Sequence, residues 1–402
     1  MAARRERPVR GIGARCPYVK IAFHVPRASF LQPGSSGDNV QVRNLLDGLR
    51  RRGHDVQVVS LLDSRELGHG RVPLRRLARE AVLVRRRIRR FAPDAWLVYM
   101  PSVTSPDLFG WWQRPSRYVL YAGYHGRVER VARPLWRAPF AAAHRRSVVA
   151  ADAITVYRPK SVGRMVSDGV PRSRVLLLPP AVELPHSVAP RLDARRALGL
   201  PLHASIVLCV ARLTAARGQG RPGKTSSIVE LLRVVASLPE SVLCVLVGDG
   251  PGRAEILEER AKLSLEDRVL LAGAVSNREI ATYHAASDVF AYPYDMDRPS
   301  MAVMEAQASG RPVVRLRSPS AELAVEEGRT GLLANDMDEF RTHLRDLLME
   351  HSRSEQMGDA ARAYIGRAHS VEIRVDQILR LLSAPSTDHA TKHRGNVPAT
   401  GR

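Results

Sequence analysis

The sequence predicts an α/β protein built from two parallel-sheet domains that face each other across a cleft. Short β-rich runs alternate with longer helical patterns along most of the chain, and strand-then-helix repetition produces parallel sheets with helices on both faces. Several of those runs, IVLCV and VLCVLV among them, are apolar without alternation, as suits strands buried on two sides. A Pro-rich stretch from Pro179, PPAVELPHSVAPRLDARRALGLP, divides the strands into two series. The length of 402 residues also suits two domains. Clefts between such domains are where ligands usually bind.

The first series opens with YVKIAFHV, which runs into the loop QPGSSGDN and a helix expected from about Val40 to Arg52. Val42, Leu45, Leu46 and Leu49 recur at helical spacing, so one face belongs to the core. Gly53 stands where helices end in a left-handed residue, before the strand HDVQVVS. A strand, a Gly loop and a helix N-terminus together offer backbone N–H groups to an anion, and a tight turn in any α/β domain reads the same way. Next comes VPLRRLAREAVLVRRRIRRF, with Leu74, Leu77, Ala81, Val84, Ile88 and Phe91 in one apolar stripe and arginines over the rest. It reads first as a helix packed on its sheet with a solvated basic face, and second as a docking face for anionic lipid. AWLVYM, RYVLYAG, AITVYR and RVLLLPP complete the series. WWQRPSRY, from Trp111, sets two aromatics beside cations, which suits an interface or an acceptor site.

SIVLCVA, VLCVLVG, DRVLLAG, DVFAYP and PVVRLR are the strands expected after the Pro-rich stretch. The segment DVFAYPYDMDRPSMAVMEAQASGRPVV, Asp288 to Val314, places a strand end near Pro293 and a helix from Pro299 to Gly310. Asp297 and Glu305 bracket the helix start. Carboxylates so placed suit hydrogen bonds to the hydroxyls of a sugar or ribose, while free N–H groups of a first helical turn suit phosphate. A dipole-complementing Asp and an ordinary surface Glu are the plainer reading.

Apolar residues at 45% and charged residues at 25% argue against global disorder. No run approaches about 18 consecutive apolar residues, so no membrane-spanning helix is expected. Residues 1–15 read as a disordered basic arm rather than a secretory signal, and 383–402 as a polar tail. Cys16, Cys209 and Cys244 are too few and too scattered for a disulfide framework or a zinc site, which fits a cytoplasmic protein. The net charge of +22 comes from 57 arginines and only five lysines against 40 acids. Such an excess draws a protein toward anionic lipid, nucleic acid or phosphate-bearing substrates. No helix-turn-helix, zinc or aromatic RNA-binding signature accompanies it, so nucleic acid is not the expected partner.

The segment DRPSMAVMEAQASGRPVV resembles the signature of the retaining GT-B glycosyltransferases of family 4, the glycosyl transferases group 1. The resemblance continues through ADAITVYRPKSVGRMVSDGV, VLCVARL, VLVGDGPGRAEIL, VLLAGAVSNREIATYHAASDVFAYP and AELAVEEGRTGLL, in family order, across roughly residues 19–382. It implies a GT-B fold, two Rossmann-like parallel-sheet domains facing an interdomain cleft. The expected plan is an acceptor-side domain over 16–185, a linker over 186–201 and a nucleotide-sugar domain over 202–365. A helix over 366–382 would return to the first domain.

The resemblance further implies transfer of a sugar from a nucleotide sugar, a UDP- or GDP-sugar, to an acceptor hydroxyl with retention and without a metal or other cofactor. The acceptor would be a glycan, a lipid-linked molecule or a small metabolite, met in the cytoplasm or at the inner face of an anionic membrane. Glu305 would hold the ribose and Asp297 the donor sugar. Arg212 would neutralise the diphosphate together with Arg217 or Lys224, beside Gly37, Ser300 and Met301. His125 matches a histidine near the sugar and equally suits a structural role. Gly248 and Gly250 look like the turn beside the base.

Asp297 is one methylene shorter than the family's Glu, and Arg298-Pro299-Ser300 replaces Gly-Phe-Gly, which removes a backbone donor at Pro299. That departure motivates a rival, a noncatalytic GT-B partner protein, and the charge motivates a second, a basic nucleic-acid-binding protein.

Overall fold

A computed structural model describes residues 17–32, 37–113, 115–123, 131–214, 224–295 and 299–384. The first half runs β1 (Lys20–His24), α1 (Gly37–Arg51), β2 (Asp55–Val58), α2 (Ser64–Gly68), α3 (Leu74–Phe91), β3 (Ala95–Tyr99) and α4 (Gly110–Gln113). It continues with β4 (Arg117–Tyr121), α5 (Pro134–Ala150), β5 (Ala153–Val156), α6 (Pro159–Ser167) and β6 (Val175–Leu177). These strands form one six-stranded sheet in the order β2-β1-β3-β4-β5-β6, and the recorded pairings are parallel.

After α7 (Arg191–Ala197) the second half runs β7 (Ser205–Val210), α8 (Lys224–Ala236), β8 (Val242–Val247), α9 (Arg253–Lys262), β9 (Val269–Gly273) and α10 (Asn277–Ala286). β10 (Val289–Tyr292), α11 (Met301–Ala308), β11 (Val313–Leu316), β12 (Gly331–Ala334), α12 (Met337–Met349), α13 (His351–Ala368) and α14 (Val371–Ser383) follow. The second sheet is also six-stranded and parallel, ordered β12-β11-β10-β7-β8-β9.

The helical spacing in α1 buries Val42, Leu45, Leu46 and Leu49, each such burial contributing roughly 1.5–3 kcal/mol. The helix starts at Gly37, three residues earlier than the apolar pattern suggests, because its first turn is polar. Gly53 closes it at φ +84°. In α3 the expected stripe is only partly used. Val84 is buried, and Leu77, Ala81 and Ile88 pack against the first sheet's core. Leu74 lies outside the stripe at 64% exposure. The tryptophans of α4 pack against the same core, and Trp112 donates its indole N–H to the Leu108 carbonyl at 3.0 Å. Both remain half-exposed. β12 was not among the expected strands; it is four residues long and too short to show a pattern.

The two halves are tied together by their crossing segments. Residues 191–200, within the expected linker, pack into the second core through Ala194 and Leu200. Arg195, only 4% exposed, donates to the carbonyls of Ala286 and Leu202 and to Asp288. α14 returns to the first core with Val371, Val375, Ile378, Leu379 and Leu382. Gly48 of α1 makes room for it, since a Cβ there would lie 2.6 Å from a Val375 methyl. At the crossing, Val182 donates to the His369 carbonyl at 2.9 Å and Val371 donates to the Val182 carbonyl at 3.1 Å.

Candidate functional site

In each sheet the chain reverses its direction of growth beside the first strand, between β1 and β3 and between β7 and β10. Ligands of open α/β sheets bind at such switch points, outside the carboxyl ends of the strands. The carboxyl end of β1 leads to α1, that of β7 leads to Arg212, and that of β10 leads to α11.

The N-termini of α1 and α11 meet across the cleft. A Cβ at Gly37 would sit 3.3 Å from Met301 Cγ, so glycine is what lets the two helix starts approach. Four residues into α1, Gln41 donates to Met301 Sδ at 3.1 Å, and its carbonyl oxygen accepts from the Tyr157 hydroxyl at 2.9 Å. Nothing in the sequence singles out Gln41. It is a polar residue beside the apolar stripe of α1, and only the facing of the sheets gives it partners on both walls.

α11 begins at Met301 with Ser300 as its N-cap, two residues later than expected from Pro299. The Ser300 side chain makes no capping bond, and the first turn carries no acid. Free N–H groups at a helix start carry partial positive charge and suit an anion. Glu305 lies one turn further on, partly buried, and loss of surrounding water raises its carboxyl to about 7. A carboxylate held this way gains from hydroxyl donors that replace the missing water.

Arg212 directly follows β7 by two residues, exposed and without an ion-pair partner among the described residues. Its loop is gripped from the side by two glycines just after β8. Gly248 at φ +128° and Gly250 at φ +153° adopt conformations that other residues rarely reach. A Cβ at Gly248 would strike the Ala211 carbonyl, and one at Gly250 the Leu213 carbonyl. Leu213 donates to the Asp249 carbonyl at 3.0 Å, and Gly252 donates to the Leu213 carbonyl at 3.1 Å. These two glycines therefore hold the backbone on either side of Arg212. Thr225 reaches back across the following loop, donating from its backbone and from Oγ1 to the Thr214 carbonyl at 3.3 and 2.9 Å. Lys224 opens α8 next to that tie.

Gly37, Met301, Ser300 and Glu305 are thus on one pair of facing helix starts, and Arg212, Gly248 and Gly250 are on the adjoining loops of the second sheet. His125, Arg217, Asp297 and Arg298 lie outside the described residues, as do residues 1–16 and the tail from 385, whereas Ser383 of the expected tail closes α14; the Lys224 side chain is not described. Cys209 and Cys244 are buried on neighbouring strands and form no disulfide. No group of three metal-ligating side chains occurs among the described residues, and no described helix is long and apolar enough to cross a membrane.

Two family models match the chain, Glycosyltransferase Family 4 over residues 35–185 and Glycosyl transferases group 1 over residues 205–350. A GDP-mannose-dependent alpha-(1-6)-phosphatidylinositol monomannoside mannosyltransferase of Mycolicibacterium smegmatis is 31% identical over 225 residues, 53% of this chain and 57% of that protein. A D-inositol 3-phosphate glycosyltransferase of Corynebacterium diphtheriae is 31% identical over 227 residues, 52% of this chain and 51% of that protein. The chain thus spans little more than half the length of these curated relatives. The solved structure of HepE from Anabaena in complex with UDP superposes with a TM-score of 0.63 at 17% identity, covering 90% of this chain and 99% of that one. That likeness is one of fold, the GT-B arrangement of two facing parallel-sheet units. The two family models fall one on each sheet and together take up most of the chain, which belongs to the family 4, group 1 glycosyltransferases.

Proposed function

We propose that the protein transfers a sugar from a nucleotide sugar, with UDP- and GDP-sugars the first to test, to an acceptor hydroxyl with retention of anomeric configuration and without a metal. The observation that carries this reading is the placement of Arg212, without an ion-pair partner among the described residues, and of the uncapped start of α11 at the β7/β10 switch point, with Glu305 one turn on. Glu305 accepts hydrogen bonds from the ribose hydroxyls. Arg212, with Lys224 or Arg217, takes the charge that develops on the departing diphosphate, a role in which one well-aimed donor is worth roughly 2.7–4 kcal/mol. Gly37 and the N–H groups of Ser300 and Met301 line the diphosphate, Gly248 and Gly250 hold the turn beside the base, and Asp297 and His125 attend the sugar.

In a front-face displacement the acceptor oxygen bonds to the anomeric carbon as the bond to the diphosphate breaks. The acceptor proton passes to the leaving phosphate oxygen. No protein nucleophile is consumed. The GDP-mannose dependence of the mycobacterial relative and the UDP bound by the fold neighbour support a nucleotide-sugar donor.

Thermal stabilisation against UDP-, GDP-, ADP- and dTDP-sugars, with and without EDTA, tests the reading. A ligand at about 100 times its dissociation constant adds about 2.7 kcal/mol, and one nucleotide class should do so regardless of EDTA. NMR of the product's anomeric proton reads retention directly. Turnover by Glu305→Ala at the wild-type rate would overturn the site assignment.

α3 supports a second element of the reading, action at an anionic membrane face on the cytoplasmic side. Arg75, Arg79, Arg85, Arg86, Arg89 and Arg90 are all exposed on it, and Leu74 and Val82 are exposed beside them at 64% and 53%. Arginines flanking exposed apolar side chains suit the headgroup region. Sedimentation with phosphatidylglycerol vesicles at rising salt measures it.

A further inference from the structure

The first half of the chain contains a pocket whose lining includes none of the residues proposed to meet the donor. It opens at the carboxyl ends of β1 and β2, has a volume of about 670 Å³, and is lined by Arg27, Ser29, Asp63, Arg65, His69 and Arg76 among others. Its acids are already committed. Asp63 Oδ1 accepts from the backbone N–H groups of Arg65 and Glu66, Oδ2 accepts from that of Ser29, and Glu66 pairs with Arg71 at 3.0 Å. Arg27, Arg65 and Arg76 form no ion pair among the described residues.

Arg27 stacks on the Phe30 ring at 4.5 Å, and both its burial and the neighbouring Arg65 charge lower its pKa. Guanidinium groups that line one pocket gain from an anion between them. The start of α3, which supplies Arg76, has no acid in its first turn and no side-chain cap at Pro73. Asn39 in the first turn of α1 donates to the carbonyls of Ser29 and Gln32 at 3.3 and 3.0 Å. The pocket wall is thereby tied to the same helix start that faces Met301.

We infer that this pocket binds a phosphate group carried by the acceptor, held by Arg27, Arg65 and Arg76 beside the donor cleft. The word acceptor rests on the glycosyl-transfer reading, whereas the phosphate site rests on the pocket alone. A free phosphomonoester and a phospholipid headgroup present the same chemistry.

Both are tested on the full chain and on R65Q/R76Q, two exposed positions whose change leaves the fold intact, with R27Q as a second variant. Calorimetric titration of glycerol 3-phosphate should show binding to wild type that weakens at least tenfold in the variants, with plain glycerol binding neither. In the second arm, phosphatidylcholine vesicles with and without phosphatidic acid are sedimented with each protein. A variant-sensitive gain from phosphatidic acid alone assigns the site to a headgroup, and a variant-sensitive titration alone assigns it to a soluble ester. If neither probe distinguishes wild type from the variants, the pocket assignment is overturned. Nucleotide-sugar thermal shifts run on the same proteins separate the two readings. Shifts in all of them with indistinguishable phosphate binding leave the donor site standing and the pocket refuted. Phosphate binding lost in the variants, with no nucleotide shift anywhere, does the reverse.

Discussion

The two walls of the cleft are built on one plan and store their chemistry differently. On the second wall, the groups proposed to meet the donor lie on short strand–loop–helix units: Arg212 just after β7, Ser300, Met301 and Glu305 just after β10. On the first wall, the three pocket arginines, without an ion pair among the described residues, come from the loop after β1, from α2 and from the start of α3, spread over residues 27–76. A ligand common to many relatives can be met by a compact cassette of fixed spacing. A surface assembled from scattered loops leaves no such fixed spacing. The comparison teaches where sequence spacing is informative and where only the packing of several loops creates a site.

The sharpest way to break this comparison is at Arg212. Arg212→Ala should lower kcat/KM by about 10²–10³-fold while leaving the thermal midpoint of the free protein unchanged, because the side chain is exposed and pairs with no described residue. Equal activity would move the charge-neutralising role elsewhere. Gly248→Ala comes next, with the opposite signature. Its Cβ meets the Ala211 carbonyl at a positive φ, so strain of order 1–3 kcal/mol should appear as a lower midpoint together with a loss of donor affinity.

Glu305→Gln separates binding from stability. The folded carboxyl titrates near 7 rather than 4.5, so in wild type the stability tied to its protonated form is complete below the unfolded value and is lost as pH rises through about 7. The variant, neutral throughout, should therefore be the more stable free protein at pH 8, with the gap closing toward pH 5. It should also bind donor more weakly, and wild-type donor affinity should fall as pH drops below about 7. Thermal scans across that range read both effects.

Gln41→Ala probes the join between the walls. Loss of its two bonds, to Met301 and from Tyr157, should cost about 1 kcal/mol and raise the donor KM more than it lowers kcat. The smallest effect on the fold is expected from R75Q/R79Q/R86Q on α3, within about 0.5 kcal/mol of wild type. Vesicle sedimentation should weaken in the same variant, and unchanged sedimentation would remove α3 from the membrane reading.

Much of the architecture is legible in the sequence. Both strand series and the core face of α1 follow from local pattern, since a strand buried on two faces must be apolar throughout and a half-buried helix must repeat near 3.6 residues. The family signature singled out Arg212, Gly248 and Gly250 just beyond strand ends and Glu305 in the helix after β10. What local pattern missed has a common cause. The start of α1 at Gly37 carries a polar first turn, β12 is four residues long, and Trp111 and Trp112 look like surface aromatics until the core beneath them is known. The expected linker includes α7, whose buried Arg195 reads as a surface charge until Asp288 is found opposite it.

The sequence by itself determined the α/β class and the two-sheet division, and it singled out the residues proposed to meet the donor, because periodicity and motif spacing are properties of neighbouring residues. Only the tertiary structure decided that Gly37 touches Met301, that Gln41 bridges the walls, that Gly248 and Gly250 serve the backbone around Arg212, and that three arginines share one pocket. Each of these joins residues distant along the chain, and such contacts exist only once two sheets have chosen how to face.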